Sequence, residues 1–279
     1  MTEVSLDATA LEPATLDPAA LRAAIVHPGG LWRTVEVTEV TGSTNADLLA
    51  RADAGEPEGA VLVAEEQNAG RGRLGRTWTA PPRAALTFSV LLRPATVPRA
   101  RLGWLPLLAG VAVAAAVRTV AAVDTQLKWP NDVLAGPRKL AGILAEASGD
   151  AVVIGIGVNV STGPAEIPPP GPGALPATSL AIEGATTVDR AALLAGILAG
   201  LERRYRAWSA ASGDPERSGL RAEYTSSCGT LGRRVRVELP GGRVLDGQAA
   251  RVDADGRLLV SVPSGADLPV AAGDIVHLR

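Results

Sequence analysis

Residues 65–78, EEQNAGRGRLGRTW, hold three glycines and three arginines within the seven positions from Gly70 to Arg76. Arg71, Arg73 and Arg76 are forked donors suited to phosphate or carboxylate oxygens. Gly70, Gly72 and Gly75 let backbone N–H groups approach the same anion closely. The stretch therefore reads as an anion-binding loop, but not as either familiar nucleotide loop. No G-K-[ST] follows, which excludes a P-loop. A G-x-G-x-x-G spacing is present, yet arginines fill its variable positions and no helical pattern follows, which argues against a dinucleotide fingerprint. Taken alone, such a loop suits a solvated or RNA-touching segment as well as a catalytic one.

Scarce residues narrow the reading. Of 27 Lys plus Arg, only Lys128 and Lys139 are lysines. Where Arg is the default cation, a Lys marks a compact point charge. Both fall in KWPNDVLAGPRKLAGIL. The chain has four asparagines: Asn45 in GSTN, Asn68 in the glycine–arginine loop, Asn131 in KWPND and Asn159 in GIGVNV. KWPND gathers Lys128, Asn131 and Asp132 at the end of a predicted strand, with Pro130 turning the chain. A cation, an amide and a carboxylate so placed can hold a nucleotide and its magnesium, or make an ordinary turn. Lys139 opens an apolar strand, where it is either a ligand contact or a solvated edge residue. Gly142, Gly155 and Gly157 lie inside strands, which glycine normally weakens. They imply close strand–helix packing or a flat wall against a ligand. Ser43 and Thr44 either cap a helix or offer hydroxyls to a small polar ligand. Trp78 is either core or a cover over a flat ring.

The elements that must position these residues follow from patterning. LDPAALRAAIV reads as a helix with Asp17 as N-cap and Pro18 at its first position. Residues 32–40 alternate as a strand. A helix capped by Ser43 or Thr44 runs to Gly55. Strands are expected at 59–66, 85–92, 125–129, 140–147 and 151–160, with a long Ala/Val/Leu helix at 99–122. STGPAEIPPPGPGALPA is a loop. TSLAIEG, 188–211 and 214–225 read as helical. The last 50 or so residues have short alternating strands around PGG, DG and SG turns, the pattern of a small all-β unit.

At 279 residues the chain accommodates one large domain and a small one. A net charge of −2 argues against a general polyanion binder. No apolar run reaches membrane-spanning length, LPLLAGVAVAAAV being the nearest candidate, so no membrane partner is expected. The acidic N-terminus shows no signal core. Cys228 is the sole cysteine, which fits a reducing, cytoplasmic compartment, and with two histidines a structural zinc site is not supported.

In this order, GSTN, EEQNAGRGRLGRTW, KWPND, RKLAGIL and GIGVNV resemble the catalytic domain of the biotin protein ligases. The tail ending AAGDIVHLR resembles that family's small C-terminal domain. The resemblance implies an α+β fold: a mixed β-sheet flanked by helices, class II synthetase-like, plus an SH3-like β-barrel. The expected division is a flexible tail at 1–16, a ligase domain at 17–226 and the barrel at 227–279. Some members carry an N-terminal helix-turn-helix repressor domain. The residues before Trp32 hold four acidic side chains and one Arg, which suits the form without it, and no DNA partner is expected. A monomer or weak homodimer is the expected assembly.

The resemblance also implies a reaction. Biotin and ATP form biotinyl-5′-AMP with release of pyrophosphate, and biotin then passes to one lysine of a biotin carboxyl carrier domain of acyl-CoA carboxylases. Two anions must meet in the first step, so positive charge is needed where phosphate charge develops. The anhydride must then be kept from water by a closing loop. Arg71, Arg73, Lys139 and Asp132 are the implied catalytic set. Ser43, Thr44, Asn45 and Gln67, with Gly70 and Arg71, would surround biotin, and Gly142, Gly155 and Gly157 would let it lie flat beside Lys139. Arg76, Trp78, Lys128, Asn131 and Asn159 would join Arg71 and Arg73 around the adenylate. Asp132 would organise Mg2+ or activate the incoming lysine. Lipoate or octanoate ligases share the fold but carry R-R-x-S-G-G-G and a downstream histidine, absent here. An RNA-binding module would need a basic excess and more than 3% aromatics.

Overall fold

The structure, a computed structural model, describes residues 14–167, 169–170, 175–239 and 242–278. Residues 1–13 of the expected tail, part of the Pro/Gly-rich loop and part of the PGG turn lie outside the described residues. In chain order the elements are α1 (Pro18–Ile25), β1 (Thr34–Thr41), α2 (Thr44–Asp53), β2 (Ala60–Gln67), β3 (Ala85–Leu92), α3 (Trp104–Ala116), β4 (Gln126–Lys128), β5 (Asp132–Ala135), β6 (Arg138–Ser148) and β7 (Ala151–Asn159). They continue with α4 (Arg190–Ala210), α5 (Leu220–Ser227) and five short strands, β8 (Arg234–Glu238), β9 (Val244–Val252), β10 (Leu258–Ser261), β11 (Asp267–Val270) and β12 (Asp274–His277).

The large sheet has strand order β1-β2-β3-β7-β6-β5-β4. Only β1 and β2 run parallel, so the sheet is mixed, as the resemblance implied. Period-2 alternation assigns its two faces. Leu86, Phe88, Val90 and Leu92 of β3 and Val152, Ile154, Ile156 and Val158 of β7 enter the main core under α3 and α4. The alternate positions, Leu91 and Val153, meet Leu48 and Ala52 of α2 in a smaller cluster. Beyond that cluster, the same face carries Ser89, Gly155, Gly157 and Asn159 in place of apolar residues, and this is where a polar cleft opens.

Local signals explain the ends. Asp17 caps α1 by accepting from the Ala19 and Ala20 amides, and Ser43 accepts from the Ala46 amide to cap α2. Helical geometry is continuous over Arg99–Ala121, 23 residues, with a 3-10 start and a wider last turn. This run is long and apolar enough to cross a membrane, which the sequence reading had not allowed, but 72% of its most apolar window is buried within the protein. Three further expectations need correction. TSLAIEG forms turns rather than a helix, α5 begins at Leu220 because residues 214–219 are turns, and β5 was not foreseen. β5 is only four residues long and pairs back on β4 through the KWPND turn, too short to show a period.

The smaller sheet is antiparallel with order β11-β10-β9-β8-β12. Its inward residues, including Val235, Val237, Val260 and Ile275, belong to the same continuous core as Trp104 and Trp129. Both indoles are anchored on the turn between β9 and β10. Trp104 Nε1 donates to the Asp253 and Ala254 carbonyls, and Trp129 Nε1 donates to the Gly256 carbonyl at 3.1 Å. A buried Trp with its N–H satisfied is costly to remove, about 3–5 kcal/mol on truncation. The small sheet is thereby fixed against the KWPND turn.

At the other end, residues 14–16 are not loose. Leu16 is buried, and its amide donates to Glu65 Oε1 at 2.7 Å. Glu65 Oε2 pairs with Arg190 Nη1 at 2.5 Å, with side chains 2% and 4% exposed, and Arg190 Nη2 donates to the Ala14 carbonyl. A buried charge pair with its remaining hydrogen bonds met is stable where it stands and expensive to break.

Candidate active site

A cleft of 470 Å3 lies on the glycine-bearing face of the large sheet, between the 68–78 loop, the KWPND turn and β12. Most of the residues singled out from the sequence line it. The loop is folded back as a small hairpin. Arg71 bridges Thr77, the Trp78 amide donates to the Gly70 carbonyl, and the Gly72 amide donates to the Arg76 carbonyl at 2.7 Å. Gly70 is required by this closure, since a Cβ there would stand 2.5 Å from the Trp78 carbonyl oxygen.

Each arginine of the loop reaches a different wall. Arg71 approaches Glu146 of β6 at 3.6 Å. Arg73 Nη1 donates to Asn131 Oδ1 of the KWPND turn at 3.1 Å. Arg76 pairs with Asp274 of β12. Burial pushes the Arg73 guanidinium pKa down, against the opposing pull of Asp274 and Asp132. A partly desolvated cation favours an incoming anion.

Asp132 lies between the two lysines. Its Oδ1 is 2.7 Å from Lys139 Nζ and its Oδ2 is 3.9 Å from Lys128 Nζ. Burial lowers the Lys128 pKa, Asp132 opposes the shift, and the like charge of Lys139 adds to it. The arrangement is an internal counter-ion that holds two like charges side by side. Both carboxylate oxygens face ammonium groups. No cluster of three or more metal-ligating side chains occurs among the described residues.

Asn131 is more constrained than the sequence reading allowed. Besides accepting from Arg73, it donates from Nδ2 to the Ile143 carbonyl at 3.0 Å. Asn159 likewise donates to the Thr178 carbonyl, which ties β7 to the loop beyond it. Both line the cleft, and their amides also brace it.

The three strand glycines divide into different roles. A Cβ on Gly157 would lie 2.4 Å from Trp78 Cε2, so the indole lies against this bare backbone. At Gly142 the neighbours are Lys139 Nζ at 3.2 Å and Trp78 Cζ3 at 3.4 Å. Gly155 instead admits Asn45, whose Oδ1 would be 2.2 Å from a Cβ there. Close packing of α2 onto the sheet is therefore the observed reason for Gly155, and Gly142 with Gly157 form the flat floor. Trp78 Nε1 is buried with no hydrogen-bond partner among the described residues.

A buried polar network supports the α2 side. Thr44 N donates to Gln67 Oε1 at 2.8 Å. Thr44 Oγ1 meets Ser89 Oγ at 2.7 Å, and Ser89 Oγ donates to Asn45 Oδ1 at 2.6 Å. Asn45 Nδ2 donates to Glu146 Oε2 at 2.8 Å, and Glu146 faces Arg71. Ser89 spends its one proton on Asn45, so the single Thr44 hydroxyl proton is shared between Ser89 Oγ and Gln67 Oε1 at 3.0 Å. Asn45 is thus held by the protein through both amide atoms and Ser43 Oγ accepts at the start of α2, while both residues line the cleft. Ser89, Glu146 and Asp274 are the residues that sequence reasoning missed. Ser89 alone left a signal, as a polar residue inside ALTFSVLL.

The chain matches the Biotin/lipoate A/B protein ligase family over residues 37–159 and the Biotin protein ligase C terminal domain over 230–278. It is 47% identical to the biotin–[acetyl-CoA-carboxylase] ligase of Mycobacterium tuberculosis, over 95% of this chain and 96% of that protein. The chain belongs to the biotin protein ligase family. A second relative of these ligases, the bifunctional ligase/repressor BirA of Bacillus subtilis, is 33% identical over 81% of this chain and 69% of its own length. The biotin protein ligase of Aquifex aeolicus in complex with biotin and ATP superposes with a TM-score of 0.73 at 28% identity, covering 89% of this chain and 100% of that one.

Proposed function

We propose that this chain activates biotin with ATP to biotinyl-5′-AMP and then biotinylates a lysine of a biotin carboxyl carrier domain of an acyl-CoA carboxylase. The observation that carries the reading is the convergence of Lys139, Lys128, Arg71, Arg73 and Arg76 on one cleft with a glycine floor under an indole. When the indole moves off that floor, a flat apolar bicycle can take its place, with its carboxylate and an α-phosphate meeting among the cations. The match to a ligase C-terminal domain supports biotin over lipoate.

Each step has a group suited to it. Lys139 neutralises the junction between carboxylate and phosphate, and Asp132 keeps its ammonium beside that of Lys128. Arg71, Arg73 and Arg76 stabilise the charge that moves to the departing pyrophosphate. Gln67 has spent its oxygen on Thr44, which leaves its amide N–H groups as donors for the polar end of biotin, while the Thr44 hydroxyl can only accept there. Trp78 covers the adenylate, and its Nε1–H remains to be met by the bound ligand. The closed hairpin limits water at the anhydride. Mg2+ fits as a companion of the nucleotide phosphates rather than as a protein-bound ion. A single buried cysteine, Cys228, fits work in the cytoplasm.

Pyrophosphate release from ATP, measured with biotin, with lipoate and with neither, tests the reading. Release that needs biotin is expected. Release driven equally by lipoate, or by neither acid, would overturn it.

A further inference from the structure

The second half-reaction sets an electrostatic difficulty. The acceptor lysine arrives as an ammonium ion, and the cleft it must enter already carries Lys128, Lys139 and three arginines. Like charges about 4 Å apart repel by about 4 kcal/mol at an effective dielectric constant of about 20. A carboxylate must therefore receive the amine.

Among the described residues, three carboxylates line the cleft: Asp132, Glu166 and Asp274. Asp132 is spent between Lys139 and Lys128. Glu166 accepts from the Gly163 amide within its own exposed loop. Asp274 differs from both. It begins β12, lies within electrostatic reach of Lys128 and Arg73, and is 23% exposed. Its one ion-pair partner among the described residues, Arg76, is 51% exposed and stands on the glycine-rich hairpin. An ion pair so open to water is worth about 0–1 kcal/mol, so either partner can be exchanged.

We propose that Asp274 is the acceptor-lysine carboxylate, which rests on the ligase reading above. Arg76 turns from Asp274 to the phosphate of the adenylate, and the freed carboxylate takes the lysine ammonium in its place. The ammonium passes one proton through Asp274 to bulk water. The neutral nitrogen attacks the anhydride carbonyl, the new C–N bond forms, and the C–O bond to phosphate breaks with its electron pair leaving on AMP. The second nitrogen proton then goes to water. The surrounding cations favour the neutral amine, just as Lys139 helps to lower the Lys128 pKa. The role the sequence offered to Asp132 thus passes to a residue of the small sheet.

The test separates amine capture from adenylate chemistry. Preformed biotinyl-AMP is given to the full chain, and transfer to a carboxyl carrier domain is compared with capture by hydroxylamine, a nucleophile that is neutral at neutral pH. Asp274→Asn is expected to lower the carrier-to-hydroxylamine ratio by about tenfold or more, as loss of a charge partner for a buried ammonium does. Asp274→Glu is expected to recover most of it. Should the amide variant not fold, Asp274→Ser gives the same reading. An unchanged ratio overturns the proposal. So does an equal fall in the ratio with Arg76→Gln, which would make the Arg76 pair a loop latch. A fall with Glu166→Gln and none with Asp274→Asn reassigns the role. Wild-type protein that turns over neither nucleophile, and releases no pyrophosphate with biotin, refutes the ligase reading instead.

Discussion

Lys139→Ala separates a structural ion pair from a catalytic cation. Lys139 Nζ is 2.7 Å from Asp132 Oδ1, with side chains 30% and 15% exposed, and Lys128 stays at 3.9 Å on the other oxygen. The folded protein therefore loses one of two counter-charges and keeps the second. The stability cost is about 1–2 kcal/mol, well below that of stripping a fully buried ion. The transition state has no such reserve. Its charge develops where Lys139 reaches past the Gly142 backbone. Loss of one charge-assisted contact there costs about 2–4 kcal/mol, which is about 30- to 1,000-fold in rate. Biotin-dependent pyrophosphate release reads the rate, and urea denaturation reads stability. Adding Asp132→Asn to Lys139→Ala is expected to recover stability, because the bereft carboxylate is gone, but not rate. Release within about threefold of wild type in a folded Lys139→Ala protein would refute the argument.

Other outcomes follow from the same geometry. Gly157→Val places a side chain where Trp78 now lies, 2.4 Å from its ring, so biotinyl-AMP retention is expected to fall at least about tenfold while the far-ultraviolet circular dichroism stays unchanged. Tight retention would show that the indole is not held by that floor. Glu65→Gln leaves Arg190 buried and uncompensated and is expected to lower stability by about 3–5 kcal/mol in urea titrations; a loss below about 1 kcal/mol would count against it. For His277, burial and then the charges of Lys128 and Arg233 push the pKa from 6.5 to about 4. The unfolded chain then binds the extra proton between these values, so stability present above pH 6.5 is lost as pH falls toward 4. Because the ring is only half-buried, screening limits the loss to about 2 kcal/mol or less. Thermal melts of wild type against His277→Gln should converge over that window, and parallel curves would exclude the effect.

Much of this protein was fixed by its sequence alone. Asp17 and Ser43 cap their helices because a short acceptor before a helical pattern has few other uses. Apolar runs placed β2, β3, β6 and β7 and alternation placed β1, while the faces of these strands were assigned only by their packing. The clustering of Lys128, Lys139 and the three arginines in short segments marked the charged cleft, since scarce residue types in quoted motifs are local information. Tertiary structure decided which groups remain free to act. Asn45 belongs to the protein because Gly155 lets α2 approach the sheet. Asp132 is a counter-ion because the β4–β5 turn folds it between two lysines eleven positions apart in sequence. Ser89 joins the network because β3 happens to present it opposite Thr44. Asp274 faces Arg76 across 198 positions only because Trp104 and Trp129 seat the small sheet beside the cleft. Motifs record which residue types are needed. The charge and hydrogen-bond partner each one meets depends on distances between strands far apart in the chain, and no local pattern encodes those.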